Sequence, residues 1–170
     1  MDELSVRAAL SSSGVRRTAA SAGRAACSGD ESRGAMSGTV REWVLPGVLL
    51  ADSITQVEAA DAGACVVSGS HGGVSSAQYA LAWPLALAVF NDAGIGKDAA
   101  GIAALALLQQ QGRAAVAVAH TSARIGDARD AWEHGVVSHV NPAAAALGLL
   151  VGQTVQAAVL AAVQAALKRL

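Results

Sequence analysis

The sequence predicts an α/β fold, a three-layer doubly wound domain with about five mainly parallel strands. Four short apolar segments of the length of buried strands alternate with alanine-rich segments at helical spacing. Each apolar segment ends in a cluster of glycine, histidine, serine or carboxylate residues. Because right-handed crossovers return parallel strands in the same direction, we expect these clusters to share one edge of the sheet, where ligands bind in such folds.

The length and composition predict one folded domain. The chain has 170 residues, of which 53% are hydrophobic and only 15% are charged. We expect residues 41–170 to form a single α/β domain with an apolar C-terminal helix. Residues 1–40 are rich in serine, alanine, glycine and arginine, so we expect them to form a disordered extension. Alternatively, translation starts at Met36, and the residues before it are not part of the protein.

Charge and cysteine content indicate partners and compartment. A formal net charge of -1 gives no global field for attracting nucleic acid or an anionic membrane, so neither is an expected partner. The two cysteines, Cys27 and Cys65, lie in unlike surroundings, which favours reduced thiols and a cytoplasmic location over a disulfide. Cys65 begins an apolar segment and is expected to be buried as a small hydrophobic residue.

Local signals bound the predicted elements. Pro46 and Gly47 interrupt the first apolar segment, so its regular part is expected at residues 47–51 on a sheet edge. Ser53 is the expected N-cap of a short helix at residues 54–62. The remaining strands are predicted at residues 64–68, 85–90, 114–119 and 136–140, and the remaining helices at residues 74–83, 98–111, 128–134 and from Pro142 onward.

The apolar C-terminal segment, residues 153–170, has two interpretations. Its glutamines and the weak hydrophobicity of its alanines argue against a membrane span. We therefore expect it to pack on the sheet or against a second copy of the chain. The second arrangement predicts a homo-oligomer, most simply a homodimer.

Three histidines, His71, His120 and His139, follow or end predicted strands. Histidine transfers protons near neutral pH and also binds metals. We expect His71 or His120 to move a proton, with Asp92 as the carboxylate that orients or charges it. The alternative for each histidine is a hydrogen bond that caps a loop.

The loop at residues 68–73 is predicted to bind an anion. Its glycines let backbone N–H groups approach a ligand closely at the start of a helix, which assigns Ser70, Gly72 and Gly73 to substrate binding. The His-Gly-Gly element resembles the oxyanion loop of esterases of the α/β-hydrolase type, although the Gly-x-Ser-x-Gly elbow of that family is absent. The alternative is a tight strand-to-helix turn.

Further candidates for substrate binding follow the later strands. Lys97 stands at a helix start beside a glycine-rich turn, where a cation suits a ligand contact better than helix stability, and Asp98 is expected to cap that helix. Arg124 is suited to a carboxylate or phosphate, and Asp127 either caps a helix or orients a histidine. The predicted binding set also contains Ser122, His139 and Asn141.

The sequence names no cofactor. Lys97 is followed by Asp98, where a phosphate-binding P-loop requires serine or threonine. The glycine pattern of a dinucleotide site would need its third glycine at Ala99. No metal is assigned, because the histidines and carboxylates lack a local ligand spacing.

Together these features favour an enzyme that acts on a small anionic metabolite, a carboxylate or a phosphate, at the C-terminal edge of the sheet. Hydrolysis or proton transfer fits best, which allows a hydrolase, a lyase or an isomerase. The alternatives are a non-catalytic anion-binding or regulatory module, and a docking subunit of a larger complex.

Overall fold

The computed structural model describes residues 39–168. The predictions for the N-terminal extension, apart from residues 39 and 40, and for Cys27 lie outside this part of the chain. The strands are β1 (Arg41–Leu45), β2 (Val48–Ala51), β3 (Cys65–His71), β4 (Leu87–Asn91), β5 (Ala115–Val118) and β6 (Val137–Val140). The helices are α1 (Val74–Leu81), α2 (Ala103–Gln110), α3 (Ala128–His134), α4 (Pro142–Ala145) and α5 (Val155–Leu167), with 3₁₀ turns at Ile54–Gln56, Ala59–Asp61 and Lys97–Ile102.

The strands form one six-stranded sheet in the order β1-β2-β3-β4-β5-β6. Strands β2 to β5 are parallel, whereas β1 and β6 pair antiparallel at the two edges. Helices cover both faces, so the predicted three-layer α/β class is confirmed. The strand order rises without reversal, and the connections between the parallel strands accordingly pack on one face, while α3 and α5 pack on the other.

The first apolar segment forms a hairpin instead of one bent strand. Leu45 pairs with Val48 across a turn in which Gly47 has a φ of 78°, a conformation that glycine adopts without strain. This hairpin adds the antiparallel strand β1 and moves the parallel strand β2 inward from the edge.

Alternating side chains of the strands divide the core into two layers. Leu49 and Phe90 lie beneath α1 and α2, whereas Val48 and Val89 lie beneath α3 and α5. Cys65 is buried in the second layer, as predicted, and burial raises the pKa of its thiol to about 11. This thiol is therefore protonated at neutral pH and packs as a small apolar group.

The C-terminal helix α5 packs on its own sheet. Thr154 caps it by accepting a hydrogen bond from the Ala157 N–H, and one side of the helix, including Val155 and Val159, is fully buried. Packing on the sheet is one of the two arrangements expected for the C-terminal segment. Within residues 39–168, no helix combines the length and the apolar character needed to cross a membrane.

Two predicted helices differ from the observed elements. Residues 54–62 form two 3₁₀ turns, although Ser53 is the N-cap, as expected, in a capping box with Gln56. Residues 98–111 become regular only at Ala103, because Asp98 and Ala99 have φ values of 55° and 56°. Asp98 therefore caps no helix, and the turn starts after Gly96.

Candidate functional site

Asp92 and His120 form a hydrogen-bonded pair at the C-terminal edge of the parallel strands. Asp92 directly follows β4, and His120 lies two residues after β5. Asp92 Oδ1 lies 2.8 Å from His120 Nδ1 and also accepts hydrogen bonds from the backbone N–H groups of His120 and Gly94, at 3.0 and 2.9 Å. The partnership expected between these two residues is thus present as a direct contact.

The surroundings keep the Asp92 carboxylate ionised. Burial, which leaves the residue 4% exposed, by itself raises its pKa. Hydrogen bonds from the backbone N–H groups of Gly94 and His120 and from the side chains of His120 and Ser138 outweigh burial, so the net pKa is lowered. An ionised carboxylate beside Nδ1 places the hydrogen of neutral His120 on that nitrogen, which leaves the Nε2 lone pair available as a base.

A strained loop at residues 93–99 supports this pair. Ala93 and Ile95 have φ values of 48° and 67°, and a positive φ is a genuine outlier for a branched residue such as isoleucine. A Cβ at Gly94 would lie 3.7 Å from His120 Cε1, so the loop backs the imidazole. At Gly101, a Cβ would overlap the carbonyl oxygen of Asp92. Such strain clusters at functional sites, where the surrounding structure maintains it.

Ser138 belongs to this cluster and was missed by the sequence analysis. It lies in β6, where the register with β5 shifts between Ala117 and Val118. Its hydroxyl donates a hydrogen bond to the carbonyl oxygen of Ala117 at 3.3 Å, lies 3.1 Å from His139 Nδ1, and contributes to lowering the pKa of Asp92. No local sequence signal identifies Ser138, because its position depends on the antiparallel pairing of β6 and on this irregularity.

His71 is the last residue of β3, which continues through residues 69–71 that were expected to form a loop, and its imidazole caps the turn that follows. Its Nδ1 accepts a hydrogen bond from the backbone N–H of Gly73 at 3.1 Å, so the ring folds back over its own loop. The Ser70 N–H donates to Ser68 Oγ, and the Gly72 N–H donates to the carbonyl oxygen of Asn91. The backbone donors predicted to bind an anion at Ser70, Gly72 and Gly73 are therefore engaged within the protein.

The glycines of this loop allow close packing of neighbouring segments. A Cβ at Gly69 would lie 2.6 Å from the backbone nitrogen of Asp127, and one at Gly72 would lie 2.8 Å from the carbonyl oxygen of Gly101. Neither position has space for a side chain. The absence of a side chain at Gly69 and Gly72 thus allows neighbouring backbone segments to pack closely.

The predicted binding residues that follow β5 contact neighbouring parts of the chain. Asp127 is the N-cap of α3 and accepts a hydrogen bond from the Asp130 N–H, which is one of the two roles predicted for it. The Arg124 side chain is 80% exposed, with Nη1 3.8 Å from Asp127 Oδ2. The Ser122 hydroxyl donates to the carbonyl oxygen of Ala119 and accepts from the Val136 N–H.

The expectation that Asn141 and His139 end a parallel strand at the shared edge is wrong, because β6 is antiparallel. Asn141 instead lies beside the start of β5, where its Oδ1 accepts hydrogen bonds from the Ala115 and Ala144 N–H groups. His139 lies opposite Ala117 on the face that carries α2.

Lys97 is exposed on the 93–99 loop, and no ion pair involving it occurs in the described part of the chain. Between residues 39 and 168, no group of three histidine, cysteine or carboxylate side chains is suited to hold a metal ion.

Comparison with known proteins found no matching family model and no significantly similar curated protein or solved structure.

Proposed function

We propose that the protein is an enzyme in which His120, oriented by Asp92, acts as the general base on a small molecule. The observation that carries this proposal is the 2.8 Å contact between Asp92 Oδ1 and His120 Nδ1. The carboxylate is buried while the imidazole is half exposed, with 52% of the His120 side chain accessible. One ring nitrogen is thereby held by the protein, and the other is free for a reactant.

Hydrolysis is the reaction that uses this arrangement most directly. His120 Nε2 accepts a proton from water as the water oxygen bonds to the substrate carbonyl carbon. The imidazolium then returns that proton to the departing alkoxide, so that an ester and water become a carboxylic acid and an alcohol. Asp92 stabilises the imidazolium throughout, because it carries the opposite charge at hydrogen-bonding distance.

An anionic substrate remains part of the proposal, with Lys97 as its charge partner. Lys97 lies on the loop that supports Asp92 and His120, and its exposure leaves the ammonium group accessible. The glycine loop at residues 69–73 is not included, because the N–H groups of Gly72 and Gly73 are already used inside the protein.

The test is hydrolysis of a panel of p-nitrophenyl esters and p-nitrophenyl phosphate by the full chain. We expect His120→Gln to lower turnover roughly 10²- to 10⁴-fold, the usual contribution of a general base. His71→Gln is the matched control, since it makes the same change at the end of another parallel strand, β3, where the imidazole accepts a hydrogen bond from the Gly73 N–H. Equal turnover by the wild type and His120→Gln would contradict the proposal.

A non-catalytic binding module is the second candidate. One observation favours it: the large groove beside α2 is lined by His139 and Ser138 but not by Asp92 or His120. For such a module, the wild type would bind ligands without turning over any substrate of the panel.

A further inference from the structure

A single buried amide connects the two loops that carry Asp92 and His120. Asn91, the last residue of β4, is 2% exposed. Its Nδ2 donates a hydrogen bond to the carbonyl oxygen of Ala123 at 2.9 Å, and its Oδ1 accepts one from the Ala93 N–H at 2.9 Å. Ala93 begins the strained loop after β4, and Ala123 lies in the segment after β5. One side chain therefore contacts both loops.

The contact with Ala123 attaches the turn that contains His120 to the end of β4. The Ala123 N–H donates to the carbonyl oxygen of Ala119 at 3.2 Å, which closes a turn around His120. Asp92 holds this turn at the His120 N–H, and the Asn91 amide holds it at its far end. Two points of attachment restrict the turn more than one, so the Asn91 contact helps to keep the imidazole against the carboxylate.

The residue type at position 91 matches both of its partners. A carbonyl oxygen requires a hydrogen-bond donor, a backbone N–H requires an acceptor, and an asparagine amide supplies one of each. An ionised aspartate would offer only acceptors, directly before the carboxylate of Asp92. A leucine of similar size would leave both backbone groups without a partner in the protein interior. Asparagine is thus suited to linking these two segments.

The backbone of Asn91 is held independently of its side chain. The Gly72 N–H donates to the Asn91 carbonyl oxygen at 2.9 Å, and the Asp92 N–H donates to the carbonyl oxygen of Val118 at 2.8 Å. These contacts join the end of β4 to the segments on both sides of it. A substitution that shortens the side chain therefore removes the amide contacts while the end of β4 stays in the sheet.

We propose that Asn91 is a positioning residue of the Asp92–His120 pair, whose amide sets how the loops after β4 and β5 lie relative to each other. This assignment rests on the proposed function, because the position of the imidazole matters to turnover only if His120 is the base. Asn91 is buried, so its effect on a substrate passes through the two loops. A displacement of a catalytic group by about 1 Å lowers a rate roughly 10²-fold.

The test compares Asn91→Ala with Asn141→Ala in the full chain. Asn141 is the matched control, because it is also buried and also links backbone donors and acceptors, but beside the start of β5. Both changes should lower the urea midpoint of unfolding. Under folding conditions, only Asn91→Ala should lower kcat for the p-nitrophenyl substrates, roughly 10- to 100-fold, with KM changed about twofold or less. If alanine prevents folding, Asn91→Ser retains a hydroxyl for one backbone partner and should show a smaller loss.

NMR of the imidazoles gives a readout that does not need turnover. The His120 signals should shift in Asn91→Ala, those of His134 on α3 should not, and Asn141→Ala should leave both unchanged. Unchanged His120 signals and kcat in Asn91→Ala, or equal losses of kcat in the two alanine variants, would overturn the assignment. If the wild type hydrolyses no substrate of the panel, only the proposed function fails, and the His120 signals still decide the role of Asn91.

Discussion

The described residues contain two aspartate–histidine pairs with similar contact distances and different surroundings. Asp92 and His120 lie 2.8 Å apart and join two loops that follow neighbouring parallel strands. Asp130 and His134 lie 3.1 Å apart, one helical turn from each other on α3. The first pair exists only because the sheet is assembled, whereas helical spacing alone brings the second together.

The difference between the pairs lies in burial and orientation. A hydrogen bond from the Arg124 backbone N–H is the main reason that the pKa of Asp130 is lowered, with burial opposing it and His134 contributing less. Asp130 thus anchors the loop before α3, and the His134 side chain is 65% exposed. Surface pairs of this kind contribute little to stability. A short distance between aspartate and histidine therefore does not by itself identify a catalytic pair.

The substitution with the largest expected effect disrupts the Asp92–His120 pair by shifting the backbone that supports it. Gly101→Ala introduces a Cβ that overlaps the carbonyl oxygen of Asp92, so the 93–99 loop must shift. We expect a loss of about 2–3 kcal/mol in the free energy of unfolding, the range of overpacked sites, together with most of the turnover. Urea unfolding measures the loss, and the NMR signals of His134 should stay unchanged.

Gly148→Ala is the control for that substitution. Gly148 has a φ of 85° and open space around its Cβ position, so only backbone strain of about 1 kcal/mol is expected. A Gly101→Ala variant that is as stable and active as the wild type would show that the loop does not hold Asp92.

A smaller effect is expected when the carboxylate of each pair is replaced by an amide. Asp92→Asn removes a buried charge that accepts three hydrogen bonds, and we expect it to lower the free energy of unfolding by about 2 kcal/mol. Asp130→Asn retains an amide oxygen that can accept from the Arg124 N–H, and its partner His134 is exposed, so the change should cost no more than about 0.5 kcal/mol. Urea unfolding of both variants under identical conditions decides the comparison, and equal losses would contradict it.

The smallest expected effect is a dependence on pH. Because the folded-state pKa of Asp92 is lowered, its stabilising contribution is complete above the ordinary aspartate pKa of about 3.9 and is lost as the pH falls through the folded-state value. The stability difference between the wild type and Asp92→Asn should therefore shrink on acidification below about pH 4. Chemical unfolding across this range measures it, and a difference that grows on acidification would contradict the assigned direction.

Local sequence patterns predicted the features that depend on interactions between residues close together in the chain. Ser53 and Asp127 cap the helical segments that follow them, because serine and aspartate side chains accept hydrogen bonds from the first helical N–H groups. The pairing of Asp92 with His120 was predictable for a related reason, since both residues follow buried strands that run in the same direction. Parallel strand ends meet at one edge of a sheet wherever the strands are neighbours.

Local sequence patterns could not predict the features that depend on strand direction and on packing between distant segments. The apolar segment that forms β6 is the same whether the strand runs parallel or antiparallel, so His139 and Asn141 were placed at the wrong edge. Likewise, glycines that accommodate a ligand and glycines that accommodate a neighbouring backbone have the same sequence signature, as Gly69 and Gly72 show.

The sequence by itself determined the α/β class, most strand positions, the caps at Ser53 and Asp127, and a candidate set that contained Asp92 and both His71 and His120, because burial period, capping and strand ends are encoded by residues close together in the chain. Only the tertiary structure decided the antiparallel edge strands, the place of Ser138 beside Asp92 and the open groove along α2. These features arise from contacts between distant segments, whose register and direction no short stretch of residues specifies.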